Sequence, residues 1–458
     1  MENVQFGNRF CLDRILSIFL LKGLLSYMLI RNGLVVLADG PVHLDLRTRN
    51  ETLVELAGQL APEAGEQIVD ASNLLVLPGF IDSHVHFRDP GGTHKEDFVS
   101  GTRAALAGGV TTVLDMPNTQ PTTSDRASLV AKLALVASKA VVDYGFYVGA
   151  TDTNSEEAAA LAGEVAALKL YMGSSTGSLL VTEFSPIYQH FSTFPLDKPL
   201  VVHAEDEQSL KYFAPLSQRD HNQARPPISA QIALSRALAI AEKTGRALHI
   251  AHTTTQRELE LILEAKQKGV RVTCEVTPLH LFLTEDDQHH LGNYGKVNPP
   301  LRSKSDQDAL WRYFSVVDTI GTDHAPHTRE EKNLPYEQAP SGMPGVQTML
   351  PLLLTAAHEG RVTLEEVVRR CVSNPARIFG LKTKGALEAG KDADIVLIKP
   401  DEVYEITDEQ MLSKCGWTPF AGTKVTGKVE QVFVRGALAY DQGRCVALPG
   451  SGKPVQYR

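Results

Sequence analysis

Two histidines, His84 and His86, close an apolar run that begins at Pro78, and Arg88 follows them. Side chains alternate in direction along a strand, so the two imidazoles would point the same way from the strand's end. Two imidazoles on one side of a strand are half of a metal site, because zinc in proteins commonly takes histidine nitrogens. A hydrogen-bonded histidine pair is the simpler alternative, and further ligands elsewhere in the chain decide between the two.

Further candidate ligands close or follow later apolar runs: Lys169, His203, His252 and Asp323. Four histidines and an aspartate could hold two divalent cations, because imidazole and carboxylate groups both suit zinc. An ammonium group cannot ligate a metal, so Lys169 would act only as a neutral amine or as the carbamate formed with carbon dioxide. Its two leucine neighbours favour the neutral amine. A lone lysine in a strand is usually a surface charge, so its ligand role depends on the whole pattern.

Eight apolar strand candidates alternate with helical patterns in the middle of the chain. The strands are predicted at residues 79–86, 110–116, 144–149, 167–172, 200–203, 247–252, 270–277 and 317–321. Eight strand–helix units predict an α/β fold, a (β/α)8 TIM barrel, with functional residues at the carboxyl ends of the strands. The candidate ligands occupy those ends. A doubly wound open sheet is the alternative, but no Gly-rich nucleotide loop follows the first strand.

Short β-like pieces flank the barrel candidate on both sides. Neither set, at residues 28–77 or 385–458, is long enough for a core of its own. We therefore expect a small β-sandwich-like domain formed by both termini, around a barrel at residues 78–384. Residues 1–27 are an N-terminal extension of unknown role. Its apolar run contains Lys22 and no cleavage site follows, which favours an appended helix or an upstream extension over a signal peptide or membrane anchor.

The bulk composition limits the class of partner. The 458 residues include 43% hydrophobic and 22% charged side chains, which is typical of a soluble globular protein. A net charge of −9 without long runs of one sign argues against nucleic acid, and an anionic ligand would need a local cation. Five scattered cysteines without C-x-x-C spacing predict neither a disulfide framework nor a cysteine zinc site. We expect a cytoplasmic protein with a small-molecule substrate and no membrane partner.

The candidate ligand set resembles that of the amidohydrolase superfamily, and the sequence around it resembles the dihydroorotases within that superfamily. The stretches that carry the likeness lie at residues 84–91, 115–121, 168–171, 202–205, 250–252, 297–302 and 321–327. Residues 91–97 and 416–420, the latter reading Gly-Trp-Thr-Pro-Phe, look like the dihydroorotase domain of the animal pyrimidine multienzyme. The likeness runs from about Met28 to the C-terminus and leaves only residues 1–27 uncovered.

The resemblance implies a two-metal hydrolase. Two zinc ions per chain would be held by His84, His86, His203, His252 and Asp323 and bridged by carboxylated Lys169. A hydroxide between the metals would attack the ring amide of dihydroorotate, while Asp323 carries the proton to the departing ring nitrogen. The reverse reaction closes N-carbamoyl-L-aspartate into the ring with loss of water, in the de novo biosynthesis of pyrimidines.

The resemblance also implies four substrate contacts: Arg88, Asn118, Asn298 and His327. A guanidinium can bind the substrate carboxylate with two parallel hydrogen bonds, and an amide can add a donor. Each has a simpler alternative, since an Asn after Pro is commonly a turn residue and an Arg in a loop is commonly solvated. Ser175 and Thr176 lie in a Gly-Ser-Ser-Thr-Gly stretch that could cover the substrate as a mobile loop, or merely join a strand to a helix.

One position departs from the family pattern. Leu279 stands where the family usually has the first of two adjacent histidines, while His280 and Glu275 are retained. Neither retained residue belongs to the two-metal set, but an additional metal or a supporting role for this strand is put in doubt.

Two rival functions are separated by sequence features. Allantoinases and hydantoinases share the metal set, but their ring substrates carry no carboxylate, so Arg88 with Asn118 favours dihydroorotase. A non-catalytic barrel kept as a scaffold is expected to have lost ligands, and this chain has every one. The remaining expectations are a homodimer and association with an aspartate transcarbamoylase.

Overall fold

A computed structural model describes residues 27–37, 39–175, 177–217 and 220–458. Nearly all of the predicted N-terminal extension, and Thr176 of the predicted loop, lie outside these ranges. The strands are β1 Tyr27–Leu37, β2 Gly40–Arg49, β3 Thr52–Ala57, β4 Gln67–Asp70, β5 Leu75–Pro78, β6 Phe80–Val85, β7 Val110–Asp115, β8 Asp143–Phe146, β9 Val148–Gly149, β10 Leu168–Tyr171, β11 Leu200–His203, β12 Leu248–Ile250, β13 Val272–Val276, β14 Thr319–Ile320, β15 Ile395–Glu405, β16 Lys424–Val434, β17 Ala437–Asp441 and β18 Arg444–Cys445.

The α-helices lie mainly between the strands of the barrel. They are Phe98–Ala107, Arg126–Val136, Ser155–Ala160, Phe184–Thr193, Glu207–Phe213, His221–Ala224, Pro227–Thr244, Gln256–Gln267, Pro278–Phe282, Glu285–Leu291, Lys304–Arg312, Arg329–Lys332, Met349–His358, Leu364–Val368 and Asn374–Ile378. Short 3-10 turns occur at Ala162–Glu164, Ala214–Leu216, Gly292–Gly295, Phe314–Val316 and Asp408–Gln410, and a π-helical turn at Arg369–Ser373. No helix of the described residues is long and apolar enough to cross a membrane.

Strands β6 to β14 form a parallel barrel. They pair in the orders β6-β7-β8 and β9-β10-β11-β12-β13-β14, and β8 and β9 are the two halves of one strand interrupted at Tyr147. Val85 at the end of β6 forms a parallel bridge with His324, just beyond β14, and this contact closes the ring. The predicted (β/α)8 barrel is therefore confirmed, with its eight strands at the predicted places.

Local sequence explains both the strands and the helix starts. The barrel strands are short apolar runs buried on both faces, as parallel strands covered by helices require. The helix Gln256–Gln267 begins at Thr255, whose side chain accepts from the Glu258 N–H while Glu258 reaches back to the Thr255 backbone, a capping box. Such caps satisfy the first backbone donors of a helix, so each strand end leads into a helix at a defined residue.

Both ends of the described chain contribute to a second, nine-stranded sheet in the order β18-β17-β16-β15-β5-β1-β2-β3, with β4 paired to β1. The antiparallel pairing of β5 with β15, for example Val76 with Leu397, joins the two ends. A buried apolar cluster that includes Ile30, Leu46 and Ile395 forms the core of this sheet. The predicted small β unit built from both termini is therefore present, and its boundaries near residues 77 and 385 stay a prediction.

Candidate active site

Five of the candidate ligands meet at the carboxyl end of the barrel. His84 Nε2 lies 3.3 Å and His86 Nε2 lies 3.0 Å from the same carboxylate oxygen of Asp323. On the other side of the cluster, His203 Nδ1 is 2.9 Å from His252 Nε2. Ligand atoms of His84, His252 and Asp323 all lie within 4.8 Å of one another, close enough to share a metal ion.

Three of the four histidines have one ring nitrogen held by an oxygen of a neighbouring side chain. The pairs are His84 Nδ1 with Glu275, His86 Nδ1 with Asn118 and His203 Nε2 with Glu205, at 2.7, 2.6 and 2.9 Å. A metal-binding histidine usually donates its second N–H in this way, which fixes the ring and its tautomer. The opposite nitrogen of each of these rings faces the cluster.

Glu275 contacts this cluster, a placement that was not predicted from the sequence. It lies on β13, 2% exposed, and besides holding His84 it accepts hydrogen bonds from Ser83 Oγ at 3.2 Å and from the His252 N–H at 3.3 Å. A carboxylate inside an otherwise apolar strand is a detectable signal, because a buried charge requires partners. Leu279, where the family usually has a histidine, is buried in an apolar cluster with Val297 and Leu301.

Lys169 lies on β10 with its side chain in the barrel interior and 0% exposed. Among the described residues its Nζ atom has no hydrogen-bond partner. Burial lowers the pKa of Lys169 to about 8, although Glu275 and Asp323 act in the opposite direction. A buried amine that has a lowered pKa, lies near His203 and His252 and makes no hydrogen bond with the described residues is a chemical fit to a carbamate ligand.

Asp323 follows β14 on a left-handed backbone with φ 48°, and His252 and Arg88 have φ values of 36° and 58°. Such φ values are uncommon for residues other than glycine, and all three residues lie shortly beyond the ends of barrel strands. Burial alone would raise the pKa of Asp323, but the nearby His84 and His86 outweigh burial and hold that pKa below its ordinary value. The Asp323 carboxylate is therefore ionised.

A pocket beside the cluster contains most of the predicted substrate contacts. Its lining includes His86, Arg88, Asn118, Ser175, Asn298 and Asp323. His327 is not part of this lining; it is fully buried behind Arg88, with its Nε2 3.3 Å from the Arg88 guanidinium. Arg88 Nε also donates to the Pro326 carbonyl at 3.3 Å, so two neighbours fix the direction of the guanidinium.

Two further residues in this region were not predicted from sequence. His221 is buried, and its Nε2 lies 2.9 Å from the Asn298 side-chain oxygen. Burial, together with the positive Arg225, lowers the pKa of His221 to about 3, so its ring is neutral. Tyr171 lies on the same face of β10 as Lys169, and its buried hydroxyl has no hydrogen-bond partner within the described ranges.

Comparisons with known proteins agree with this geometry. The model of the amidohydrolase family matches residues 75–439. A dihydroorotase from Halobacterium salinarum is 41% identical over 423 residues, which cover 91% of this chain and 97% of that protein. The multifunctional protein CAD of Squalus acanthias is 40% identical over 389 residues, or 85% of this chain, but the chain spans only 16% of that protein's length.

Solved structures with the same fold are enzymes named for cyclic amides. The L-hydantoinase of Arthrobacter aurescens superposes with a TM-score of 0.89 at 29% identity, over 94% of this chain and 99% of that one. The dihydropyrimidinase of Brevibacillus agri also gives 0.89, at 28% identity over 94% and 98% of the two chains. The family model and the full-length relatives together show that the chain belongs to the amidohydrolase family and, within it, to the dihydroorotases.

Proposed function

We propose that the chain interconverts L-dihydroorotate and N-carbamoyl-L-aspartate in pyrimidine biosynthesis. The observation that carries the proposal is one pocket in which Arg88 and Asn118 lie beside the buried cluster of His86 and Asp323. The cluster suits hydrolysis of a cyclic amide, and a guanidinium beside it suits a ring that carries a carboxylate. The identity to full-length dihydroorotases supports the same substrate.

We further propose two zinc ions per chain, held by His84, His86, His203, His252 and Asp323 and bridged by carboxylated Lys169. Two observations support this ligand set: the buried Lys169 Nζ has no hydrogen-bond partner in the described part of the chain, and the histidine nitrogens face inward. When bound, the metal ions would make a water nucleophilic at neutral pH and polarise the amide carbonyl.

Asp323 is the proton carrier in this proposal. In ring opening its carboxylate accepts a proton from the attacking water and passes it to the ring nitrogen as the C–N bond breaks. In ring closure the protonated Asp323 supplies the proton that leaves with the water. Opening creates a new carboxylate and releases one proton at neutral pH, so closure takes up a proton and is favoured at lower pH.

The donors for the substrate carboxylate are oriented by their neighbours. The Asn118 oxygen accepts from His86 and the Asn298 oxygen accepts from His221, which assigns each amide nitrogen the donor role. The Arg88 guanidinium, fixed at the Pro326 carbonyl, adds charge-assisted donors. His327 supports Arg88 from behind, and Ser175 lies at the pocket where a covering loop would close.

The test is an assay of the purified protein with dihydroorotate, allantoin and dihydrouracil side by side. We expect dihydroorotate to be turned over with by far the highest kcat/KM, and elemental analysis to find about two zinc ions per chain. Faster turnover of allantoin or dihydrouracil would support the allantoinase or hydantoinase alternative instead. Zinc-loaded protein without any turnover would favour a scaffold, and active protein without metal would exclude the metal mechanism.

We also propose a homodimer, an association with an aspartate transcarbamoylase and a cytoplasmic location. The similarity to part of a multifunctional protein supports the multienzyme context. The proposed domains are a barrel at residues 78–384 and a small β domain of residues 28–77 and 385–458, preceded by residues 1–27, and the β5–β15 pairing supports the two-part small domain.

A further inference from the structure

Trp417 lies in a C-terminal stretch whose sequence stood out but which the proposed function does not use. It is among the largest fully buried side chains of the described residues. Its indole Nε1 donates to the backbone carbonyl of His327 at 2.8 Å. Although Trp417 lies far along the chain, it therefore contacts the residue that supports the Arg88 guanidinium.

The indole ring belongs to an apolar cluster that includes residues of the substrate pocket and its neighbours. Trp417 belongs to an apolar cluster with Val297 and Met343, and Tyr294 meets the ring edge-on with centroids 4.9 Å apart. Val297 directly precedes Asn298, and both line the pocket, while Met343 directly follows Gly342, which also lines it. Trp417 thus shares an apolar cluster with residues of both segments that line the pocket.

Polar contacts tie the surrounding segment, residues 408–417, to the mouth of the barrel. Arg329 donates to the Gly416 carbonyl at 2.8 Å and pairs with Asp408 at 2.6 Å. Lys414 pairs with Asp97 at 2.9 Å, at the start of the first barrel helix. The segment is therefore fixed at three residues that precede Trp417.

We propose that Trp417 is a positioning residue that holds the carboxylate-binding side of the pocket. The Trp417 N–H holds the His327 carbonyl, and the His327 ring contacts the Arg88 guanidinium at 3.3 Å. The inference rests on the proposed function, because it assigns Arg88 to the substrate carboxylate. Such binding is present in both ground state and transition state, so its loss raises KM and leaves kcat nearly unchanged.

The backbone on either side of Asp323 is held by hydrogen bonds that do not involve Trp417. Thr322, next to Asp323, donates its backbone N–H to Asp82 at 3.0 Å, and its hydroxyl bonds the same carboxylate. His324, on the other side, donates its N–H to the His84 carbonyl at 3.3 Å. A change at Trp417 should therefore affect substrate binding and not the chemical step.

The experiment compares Trp417→Phe with Trp311→Phe in the full-length, zinc-loaded enzyme. Trp311 is a matched control, since its indole N–H also donates to a backbone carbonyl, that of Leu281 at 2.9 Å, away from the pocket. We expect Trp417→Phe to raise the KM for dihydroorotate about fivefold to tenfold with kcat within twofold, as loss of one buried hydrogen bond predicts. Trp311→Phe should leave both constants unchanged.

The same change made in protein that already carries Arg88→Gln distinguishes a positioning role from a general loss of packing. In Arg88→Gln protein the further change Trp417→Phe should raise KM much less than it does in wild-type protein, because the contact with the Arg88 guanidinium is gone. An unchanged KM in Trp417→Phe, an equal fall in kcat, or the same KM effect in both backgrounds would overturn the proposal. Inactive wild-type protein would instead overturn the proposed function.

A surface variant covers the case in which Trp417→Phe does not fold. The Arg329 side chain is 46% exposed, and Arg329→Gln removes the donor to the Gly416 carbonyl without opening the core. We expect a smaller rise in KM in the same direction, and an unchanged KM would overturn the proposal.

Discussion

At the scale of single residues, the pocket depends on neighbours that decide which atom each side chain presents. The alternation of strand side chains predicted that His84 and His86 point the same way, and both Nε2 atoms contact one oxygen of Asp323. Their hydrogen-bond partners could not be predicted, because Asn118 follows β7 and Glu275 lies on β13, both distant in sequence. Spacing along the chain thus predicts the ligands, whereas their orientation depends on contacts between distant segments.

Asp323→Asn tests the proposed role of Asp323 as proton carrier. An amide cannot accept and return the proton, so we expect turnover to fall by about 10²- to 10⁴-fold in both directions. Steady-state assays in each direction, with circular dichroism as a check of folding, measure this. Asp308→Asn, at an exposed ion pair, is the control. Substantial residual activity in folded Asp323→Asn protein would exclude the role.

Arg88→Gln tests the choice of substrate. Losing the charged donors should lower kcat/KM for dihydroorotate about 10- to 100-fold, since hydrogen bonds to a charged group are the strong ones. Turnover of dihydrouracil, which has no carboxylate, should not fall. The ratio of the two kcat/KM values measures the effect, and Arg126→Gln, on an exposed ion pair, is the control. Equal losses with both substrates would contradict carboxylate binding by Arg88.

At the scale of elements, the barrel was predicted more accurately than the strand ends. The strand predicted at residues 247–252 ends instead at Ile250, and the one predicted at 317–321 covers only Thr319–Ile320. In both cases a left-handed residue, His252 or Asp323, lies just beyond the strand. Hydrophobic pattern predicts where a strand runs, but a backbone turn imposed by tertiary contacts leaves no local signal.

Glu275→Gln tests whether Glu275 on β13 holds the His84 ring in place. The neutral amide should hold His84 less firmly, and we expect metal affinity to fall about 10- to 100-fold with the fold unchanged. Competition with a chelator measures the affinity. Glu264→Gln, on an exposed helix face, is the matched control. Unchanged metal affinity would show that Glu275 has no part in holding the metal ligand.

At the scale of the whole molecule, a buried charge cluster joins the barrel to the nine-stranded sheet. Lys384 Nζ lies 2.5 Å from Asp143 on β8 and 2.7 Å from Asp394, which precedes β15. Asp392, at 2.9 Å, is the third carboxylate that contacts the Lys384 ammonium. The carboxylates outweigh burial and raise the pKa of Lys384, so the two parts of the chain are held together by a charged lysine.

Lys384→Met should destabilise the protein without touching the pocket. Removing the lysine takes the cation away from Asp392 and Asp394, while Asp143 keeps its ion pair with Arg435, and we expect a loss of about 3 kcal/mol in the free energy of unfolding. Urea unfolding measures the change, and kcat and KM of the folded fraction should stay the same. Lys382→Met, two residues away and exposed, is the control. An unchanged urea midpoint would contradict this role of the cluster.

The path of the C-terminal part of the chain could not be predicted from its sequence. Residues 385–458 were predicted as part of a small β domain, and β15 to β18 do join that sheet. Residues 408–417 instead lie at the mouth of the barrel, as the contact of Trp417 with His327 shows. Short polar segments have no hydrophobic period, so only tertiary contacts determine where they pack.

The barrel is closed by the same short segments that carry the candidate chemistry. The His86 amide donates to the His324 carbonyl at 2.8 Å, and the His324 amide donates to the His84 carbonyl at 3.3 Å. A fluctuation that separates residues 84–86 from His324 must therefore also separate the side chains of the site. Conversely, an intact site keeps these two segments paired. In hydrogen-exchange terms, the amides of His86 and His324 would lose protection together with activity, and ligands that occupy the site would slow their exchange.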